Sequence, residues 1–168
     1  VAMALLLSAC RPAPVSPELV AEVRTALAAR SAETTTKATS TIAGSEDWFF
    51  YAPELRHISV GQFWDEHSRH TDVADPLSVI LDFHQQLRTL DVELILVPVP
   101  SKALIFPDKV GLNAVRIPTP VPRLDPDHVK FYELLRQQGI PVLDLTDRFL
   151  RERFHPENAL YCRHDTHW

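Results

Sequence analysis

Residues 92–97 form a short, nearly continuous aliphatic run that lies between two stretches with helical spacing. Such a run is typical of a parallel strand that is buried on both faces of a sheet. The stretch before it begins at Asp75, and the stretch after it begins at Asp125 and ends before Gly139, a residue suited to a helix C-terminus. A second strand-like segment follows at residues 140–143. This alternation predicts an α/β fold with a mostly parallel sheet flanked by helices.

Shorter patterns add further elements. Ser16 is followed by proline and glutamate, which predicts a helix that ends near Arg30, and residues 145–154 predict another helix. The aromatic run at residues 48–51 predicts a strand, and residues 41–43 carry a weaker strand pattern. Residues 160–162 are compatible with one more short strand that leads into the polar end of the chain.

Size and composition exclude several classes of protein. The chain has 168 residues, about one domain in length, and 45% of them are hydrophobic, which excludes general disorder. Seventeen basic and 22 acidic residues give a net charge of −5, so the chain has no general attraction to nucleic acid. Two cysteines are too few for a disulfide scaffold. The sequence contains no phosphate loop, dinucleotide fingerprint or Cys-x-x-Cys motif, and we predict no cofactor.

The N-terminal segment has the pattern of an export signal. Residues 1–10 are mostly apolar but too few to span a bilayer, and they end in Leu7-Ser8-Ala9-Cys10. This tetrapeptide resembles the lipobox of bacterial lipoproteins, in which the cysteine is acylated. We therefore predict a partial lipoprotein signal peptide over residues 1–10, lipidation at Cys10, and a tether, helix and linker over residues 11–40. An ordinary signal peptide, a buried apolar strand and a Cys10–Cys162 disulfide are the alternatives.

The C-terminal segment contains the clearest catalytic candidates. Asp165 stands two residues before His167, where it can orient the imidazole and stabilise its protonated form. A surface pair without a function is the alternative, because the pattern is common. The chain stops directly after this polar cluster, which predicts that the sequence is a C-terminally truncated piece of a longer protein.

Other polar residues are weaker candidates. Ser101 follows the predicted strand but lacks a Gly-x-Ser-x-Gly elbow, and flanking prolines suggest a rigid loop. We interpret Lys102 as a loop charge or a substrate contact. His67 and His70 have helix-compatible spacing with Glu66, and we interpret them as structural or solvated residues.

Two further groups have alternative uses. His164, Asp165 and His167 together offer metal-ligand chemistry, although they do not form a His-Glu-x-x-His signature. Aromatic rings can stack on sugars, but core packing is the simpler interpretation for the aromatic group at Trp48, Phe49, Phe50, Tyr51, Phe63 and Trp64.

Four segments, taken in order, resemble one known family. They are residues 47–51 (DWFFY) with 53–57 (PELRH), residues 94–103 (LILVPVPSKA) with 106–109 (FPDK), residues 131–132 (FY) with 139–145 (GIPVLDL), and Tyr161 with residues 165–168 (DTHW). The family is the SGNH hydrolase-like domain of the AlgJ/AlgX alginate O-acetyltransferases. The resemblance covers residues 41–168, the N-terminal part of that domain.

The resemblance implies an O-acetyl transfer to hydroxyls of an exported, alginate-like polysaccharide in the periplasm. It implies a Ser-His-Asp triad in which Asp165 and His167 are two members and the serine lies beyond Trp168. The 168-residue fragment is therefore predicted to be inactive by itself. In the family a further proline usually stands where this chain has Ser101, which weakens that serine as the nucleophile.

The expected partners are the polysaccharide acceptor, a membrane-bound O-acyltransferase that supplies acetyl groups, and the membrane itself through the lipid anchor at Cys10. Two alternative functions remain open at this point. One is a metal-dependent hydrolase that uses His164, Asp165 and His167. The other is a non-catalytic lipoprotein that binds or assembles polysaccharide.

Overall fold

A computed structural model describes residues 15–34, 39–66, 68, 75–155, 157, 159–165 and 167–168. None of the helices in these ranges has both the length and the apolar character needed to cross a membrane. The elements, in chain order, are α1 (Pro17–Ala32), β1 (Thr41–Ala43), β2 (Phe49–Tyr51), α2 (Ala52–Val60), α3 (Pro76–Thr89), α4 (Lys102–Ile105), a 3-10 helix (Pro107–Lys109), α5 (Pro126–Gln137) and α6 (Thr146–Glu152).

The predicted helix starts are confirmed. The Ser16 side chain accepts a hydrogen bond from the Leu19 N–H at the start of α1, and Asp75 accepts one from the Leu77 N–H at the start of α3. Each bond satisfies an N–H that has no partner within its helix. Gly139 has a φ of +79° just after α5, the left-handed geometry that favours glycine at this position. The predicted helix over residues 145–154 is the shorter α6.

Strands β1 and β2 form an antiparallel hairpin in which Ile42 faces Phe50. The connecting turn is closed by the Gly44 N–H, which donates to the Trp48 carbonyl over 2.7 Å. A Cβ at Gly44 would lie 2.1 Å from the carbonyl oxygen of Lys109, so the close approach of two backbones requires glycine there. Both strands were predicted from their sequence.

The main hydrophobic core lies between α1, α2, the hairpin and α4. Leu27 of α1, Leu55 of α2 and Ile105 of α4 are completely buried in it. Helix α2 was not predicted, since no side-chain cap marks its start at Tyr51. A second, smaller core contains Phe131 and its neighbours on α5, and the partly buried face of α3 packs against it.

The predicted parallel sheet is not confirmed within the described residues. The segment at 92–97 meets the segment at 140–143 in one parallel bridge, between Leu96 and Val142. Only two hydrogen bonds form there, because Leu96 donates to the Pro141 carbonyl over 2.9 Å and Leu143 donates to Leu96 over 2.8 Å. The run is also not covered on both faces, since Ile95 is 60% exposed.

Residues 160–162, whose sequence is compatible with a short strand, also form no strand in the described structure. This segment has no ladder partner and carries no strand geometry. Tyr161 is nevertheless buried, at 4% exposure, and it packs in the main core. The apolar character that suggested a strand therefore reflects one anchoring side chain.

Candidate active site

The last described residues form a tight turn that joins Asp165 to His167. The Asp165 Oδ1 atom accepts a hydrogen bond from the His167 backbone N–H over 2.8 Å and lies 3.1 Å from the Nδ1 atom of the same residue. The hydrogen bond from the backbone N–H, together with the imidazole contact, lowers the pKa of Asp165 below its usual value. The His167 side chain is 83% exposed, so its Nε2 edge is open to a reacting group.

A cleft of about 330 Å³ opens beside this turn. Trp168 and Tyr161 contribute to its wall from the turn, and Lys102 and Ser101 contribute from the start of α4. Its remaining polar lining comes from α2, α5 and the residues around them, at Glu54, His57, Asp125, His128, Tyr132 and Thr146. The volume lies at the lower end of the range typical of small-molecule sites.

Two titratable groups in the α5 wall of the cleft, His128 and Tyr132, have shifted pKa values. Burial, assisted by the nearby positive charges of His57 and Arg123, lowers the pKa of His128 to about 4. Burial also raises the pKa of Tyr132, so its hydroxyl stays protonated at neutral pH. His128 is therefore neutral at pH 7, and this wall presents uncharged donors and acceptors.

The α5 wall is supported by an ion-pair network that includes two lining residues of the cleft, Asp125 and Thr146. The Arg123 guanidinium binds both carboxylate oxygens of Asp125 and also lies 2.6 Å from Asp144. Asp144 in turn accepts hydrogen bonds from the N–H and hydroxyl of Thr146, at the start of α6. The network fixes the ends of α5 and α6 that face the cleft.

The Ser101 hydroxyl donates to the Glu54 carboxylate. The same carboxylate also accepts a longer hydrogen bond, of 3.3 Å, from the Ala103 N–H. Glu54 thus holds the loop that precedes α4 against α2. Ser101 is paired with a carboxylate of the scaffold and not with an imidazole.

The family model for the SGNH hydrolase-like domain of the acetyltransferase AlgX matches residues 41–168. The chain belongs to this family. The matched region begins at β1, where the sequence predicted the domain to start, and it includes the Asp165–His167 turn and the whole cleft. Neither comparison, with curated proteins or with solved structures, gives a match.

Membership of the AlgX family confirms the resemblance found in the sequence, and the family is one of acetyl-transferring enzymes. The SGNH hydrolase-like class of the fold is confirmed with it. The structure brings the two predicted members of the triad into contact. The roles of Asp165 and His167 in catalysis remain predictions, as does the serine beyond Trp168.

The metal-site alternative finds no support in the described residues. No three of their His, Cys, Asp and Glu side chains are arranged to hold a metal ion. The His164 ring instead lies 5.8 Å from the ring of Phe49, centroid to centroid.

The remaining candidates from the sequence are the proposed lipidation site, two histidines and the aromatic group. Cys10, His67 and His70 lie outside the described residues. Core packing is confirmed for much of the aromatic group, because Trp48 and Phe50 are buried at 5% and 2% exposure.

No sequence pattern indicates that residues of α2 and α5 share a cleft. Glu54, His57, His128 and Tyr132 come from two helices that are distant in the chain, and nothing in their spacing indicates a shared site. Helical periodicity alone could have placed His128 and Tyr132 on one face of α5, since they are four residues apart.

Proposed function

We propose that this chain carries the acid–base half of a serine-dependent O-acetyltransferase that modifies hydroxyls of an exported, alginate-like polysaccharide in the periplasm. The observation that carries the proposal is the double contact of one Asp165 oxygen with the backbone N–H and the Nδ1 atom of His167. An Nδ1 atom that donates to a carboxylate leaves the lone pair on Nε2, which is the form required of a general base. The acetyltransferase family supplies the reaction to which this base belongs.

The proposed reaction is a double displacement. His167 Nε2 takes the proton of a serine hydroxyl while the serine oxygen attacks the carbonyl carbon of an acetyl ester. The donor oxygen leaves with that proton, and the acetyl group stays on the serine as an ester. A sugar hydroxyl then attacks this ester, gives its proton to His167, and leaves acetylated as the serine is restored. Water in place of the sugar gives hydrolysis.

Asp165 keeps the imidazole in one tautomer and stabilises the imidazolium that forms in each half-reaction. Its depressed pKa supports this role, because the carboxylate stays ionised at neutral pH. The serine is proposed to lie beyond Trp168, as in the family pattern. Ser101 is a poor substitute, since its hydroxyl already donates to Glu54.

The same proposal includes the location and partners of the protein. Acylated Cys10 would hold the domain at a membrane facing the periplasm, and a membrane-bound O-acyltransferase would supply the acetyl groups. The cleft of about 330 Å³, whose wall includes Trp168 next to His167 in the chain, is the proposed site for the sugar. Labelling of the protein with a palmitate analogue, and loss of the label in Cys10→Ser, tests the anchor.

The decisive experiment measures acetyl-ester turnover by the full-length protein and its variants. We expect His167→Ala and Asp165→Asn each to lower kcat by about 10⁴-fold, because the first removes the base and the second favours the wrong tautomer. The matched control is His164→Ala, which removes a histidine of the same segment that lies against Phe49. This control should keep kcat within about threefold of the unaltered protein, since His164 does not contact the reacting atoms in the proposed mechanism.

Other outcomes would support the rival functions. Strong loss of activity in His164→Ala, together with inhibition by a chelator, would indicate a metal-dependent hydrolase. Polysaccharide binding that survives His167→Ala, without acetyl release from any ester, would indicate a binding lipoprotein. Turnover by residues 1–168 alone that disappears in Ser101→Ala would overturn the proposed position of the nucleophile.

A further inference from the structure

Lys102, in the first turn of α4, is a buried charge. The residue is 1% exposed, and no carboxylate in the described part of the chain forms an ion pair with its ammonium group. An ammonium group taken out of water is costly unless other polar atoms replace its hydration shell. Its surroundings must therefore supply those atoms.

Four backbone carbonyl oxygens surround the Lys102 Nζ atom. They belong to Phe49 at 2.7 Å, Cys162 at 2.6 Å, Arg163 at 3.0 Å and Asp165 at 2.9 Å. An ammonium group has three N–H donors, so one donor is shared between two carbonyls. A neutral amine would have one donor fewer, and the arrangement therefore requires the charged form.

Three of these carbonyls belong to the segment that carries the candidate catalytic pair. The segment forms no helix or strand in the described structure, so its carbonyl groups need other partners. One of them, the Arg163 carbonyl, also accepts a hydrogen bond from the Phe49 N–H of β2 over 2.7 Å. It is closed by the Cys162 N–H, which donates to the His167 carbonyl over 2.9 Å. The Lys102 ammonium lies inside this turn and, in the described part of the chain, is the one donor group that binds the carbonyls of Cys162, Arg163 and Asp165 together.

Two aromatic rings of the main core help to keep the Lys102 ammonium group in place. The rings of Trp48 and Phe50 lie 5.0 and 5.2 Å from Nζ, within the range of cation–π attraction. Both rings are fixed in the main core. The ammonium is thus a rigid point, and the carbonyls that it binds are held at fixed positions relative to the core.

We propose that Lys102 is a positioning residue for acetyl transfer, whose buried ammonium fixes the backbone of residues 162–165 and thereby the Asp165 carboxylate that orients His167. Lys102 does not touch the reacting atoms, and all its donors are used by carbonyls. This inference rests on the proposed function, because it assigns Lys102 a role only through the Asp165–His167 pair. Burial lowers the pKa of Lys102, while the charges of Glu54 and Asp165 oppose that shift.

The test compares Lys102→Met with Lys109→Met. Lys109 follows seven residues later, and its ammonium pairs with Glu46 over 2.5 Å, away from the catalytic turn. The first readout is the imidazole ¹⁵N spectrum of His167, which reports the tautomer. We expect the Nδ1–H form in the unaltered protein and in Lys109→Met, and a loss of that preference in Lys102→Met. Because unfolding would also remove the Nδ1–H preference, the spectra are compared only between variants whose circular dichroism matches that of the unaltered protein.

The second readout is the kinetics of the full-length protein. Lys102→Met should lower kcat by about 100-fold or more while KM changes less than about threefold, because a misplaced base slows the chemical step. An unchanged His167 tautomer in a folded Lys102→Met protein would overturn the positioning role. Full activity of His167→Ala would instead overturn the proposed function, so the two failures are distinguishable.

A measurement on the unaltered protein covers the case in which Lys102→Met does not fold. The ammonium protons of Lys102 should exchange slowly with water and give a ¹⁵N signal at pH 7, because four carbonyls enclose them. Fast exchange of this group, like that of a solvated lysine, would refute the enclosure on which the proposal depends.

Discussion

Arg123 offers the sharpest test of what holds the cleft together. Its guanidinium joins the loop before α5 to the loop before α6 by binding Asp125 and Asp144, whose side chains are 3% and 15% exposed. Arg123→Met keeps most of the alkyl chain and removes the charge, so both carboxylates lose their partner in a poorly solvated place. Breaking a buried ion pair in this way is expected to cost about 3–5 kcal/mol.

The assay is the free energy of unfolding from urea denaturation, with Arg148→Met as the matched control. Arg148 pairs with Glu152 one turn later on α6, and the two side chains are 64% and 42% exposed. Since water screens such a pair, its loss should cost less than about 0.5 kcal/mol. A cost for Arg123→Met as small as that of the control would show that the network does not stabilise the fold.

The pH dependence of the free energy of unfolding separates the electrostatic effect of Arg123→Met from its effect on packing. Burial raises the pKa of Asp125, while the hydrogen bond and charge of Arg123 lower it, so Arg123→Met should raise this pKa further. A carboxyl whose folded pKa exceeds its unfolded value destabilises the fold above that unfolded value, about 3.9, and not below it. The free energy of unfolding that is lost in Arg123→Met should therefore become smaller as the pH is lowered from 7 to about 4. An equal cost at both pH values would attribute the loss to packing and refute the electrostatic reasoning.

Three shorter predictions concern the core, a turn and the cleft. Leu55→Ala should lower the free energy of unfolding by about 2–5 kcal/mol because Leu55 is fully buried, whereas Leu90→Ala, at a residue 70% exposed, should change it by about 0.5 kcal/mol or less in the same urea assay. Gly44→Ala should lower the melting temperature by calorimetry, since its Cβ would meet the Lys109 carbonyl at 2.1 Å; an unchanged value would refute the close approach. His128 should titrate near pH 4 by NMR because burial disfavours its imidazolium, and since the unfolded chain binds a proton at about pH 6.5, stability should fall as the pH drops from 7; a midpoint near 6.5 would contradict this.

Local signals in the sequence predict the three longest helices well and the sheet poorly. Helices α1, α3 and α5 each begin with proline after a serine or aspartate, a pattern that depends on neighbouring residues alone. The aliphatic run at 92–97 was different, because burial on both faces depends on which segments pair with it. In the described structure it pairs only through Leu96, and this could not be read from the run itself.

The candidate site divides in the same way. The contact between Asp165 and His167 could be expected because the two residues are two positions apart, and the family resemblance singles out the pair, whose catalytic role stays a prediction. The proposed role of Lys102 could not be predicted from the sequence. Its acceptors are backbone carbonyls, which do not depend on residue type, and some of them lie about 60 residues away in the chain. From the sequence alone, a lysine next to a proline-rich segment is expected to be solvated, whereas Lys102 is buried in the folded chain.

Pro100 and Lys102 hold the segment that carries the proposed catalytic pair. The buried Tyr161 hydroxyl donates to the Pro100 carbonyl, just before the turn, and the Lys102 ammonium binds the carbonyls that follow. Tyr161 and Lys102 are both almost fully buried, whereas the His167 side chain is 83% exposed. A base that must reach a substrate needs an exposed edge, but its orientation must not fluctuate with the solvent. Buried polar anchors beside an exposed imidazole meet both requirements, which is the arrangement expected if His167 is the base of the proposed reaction.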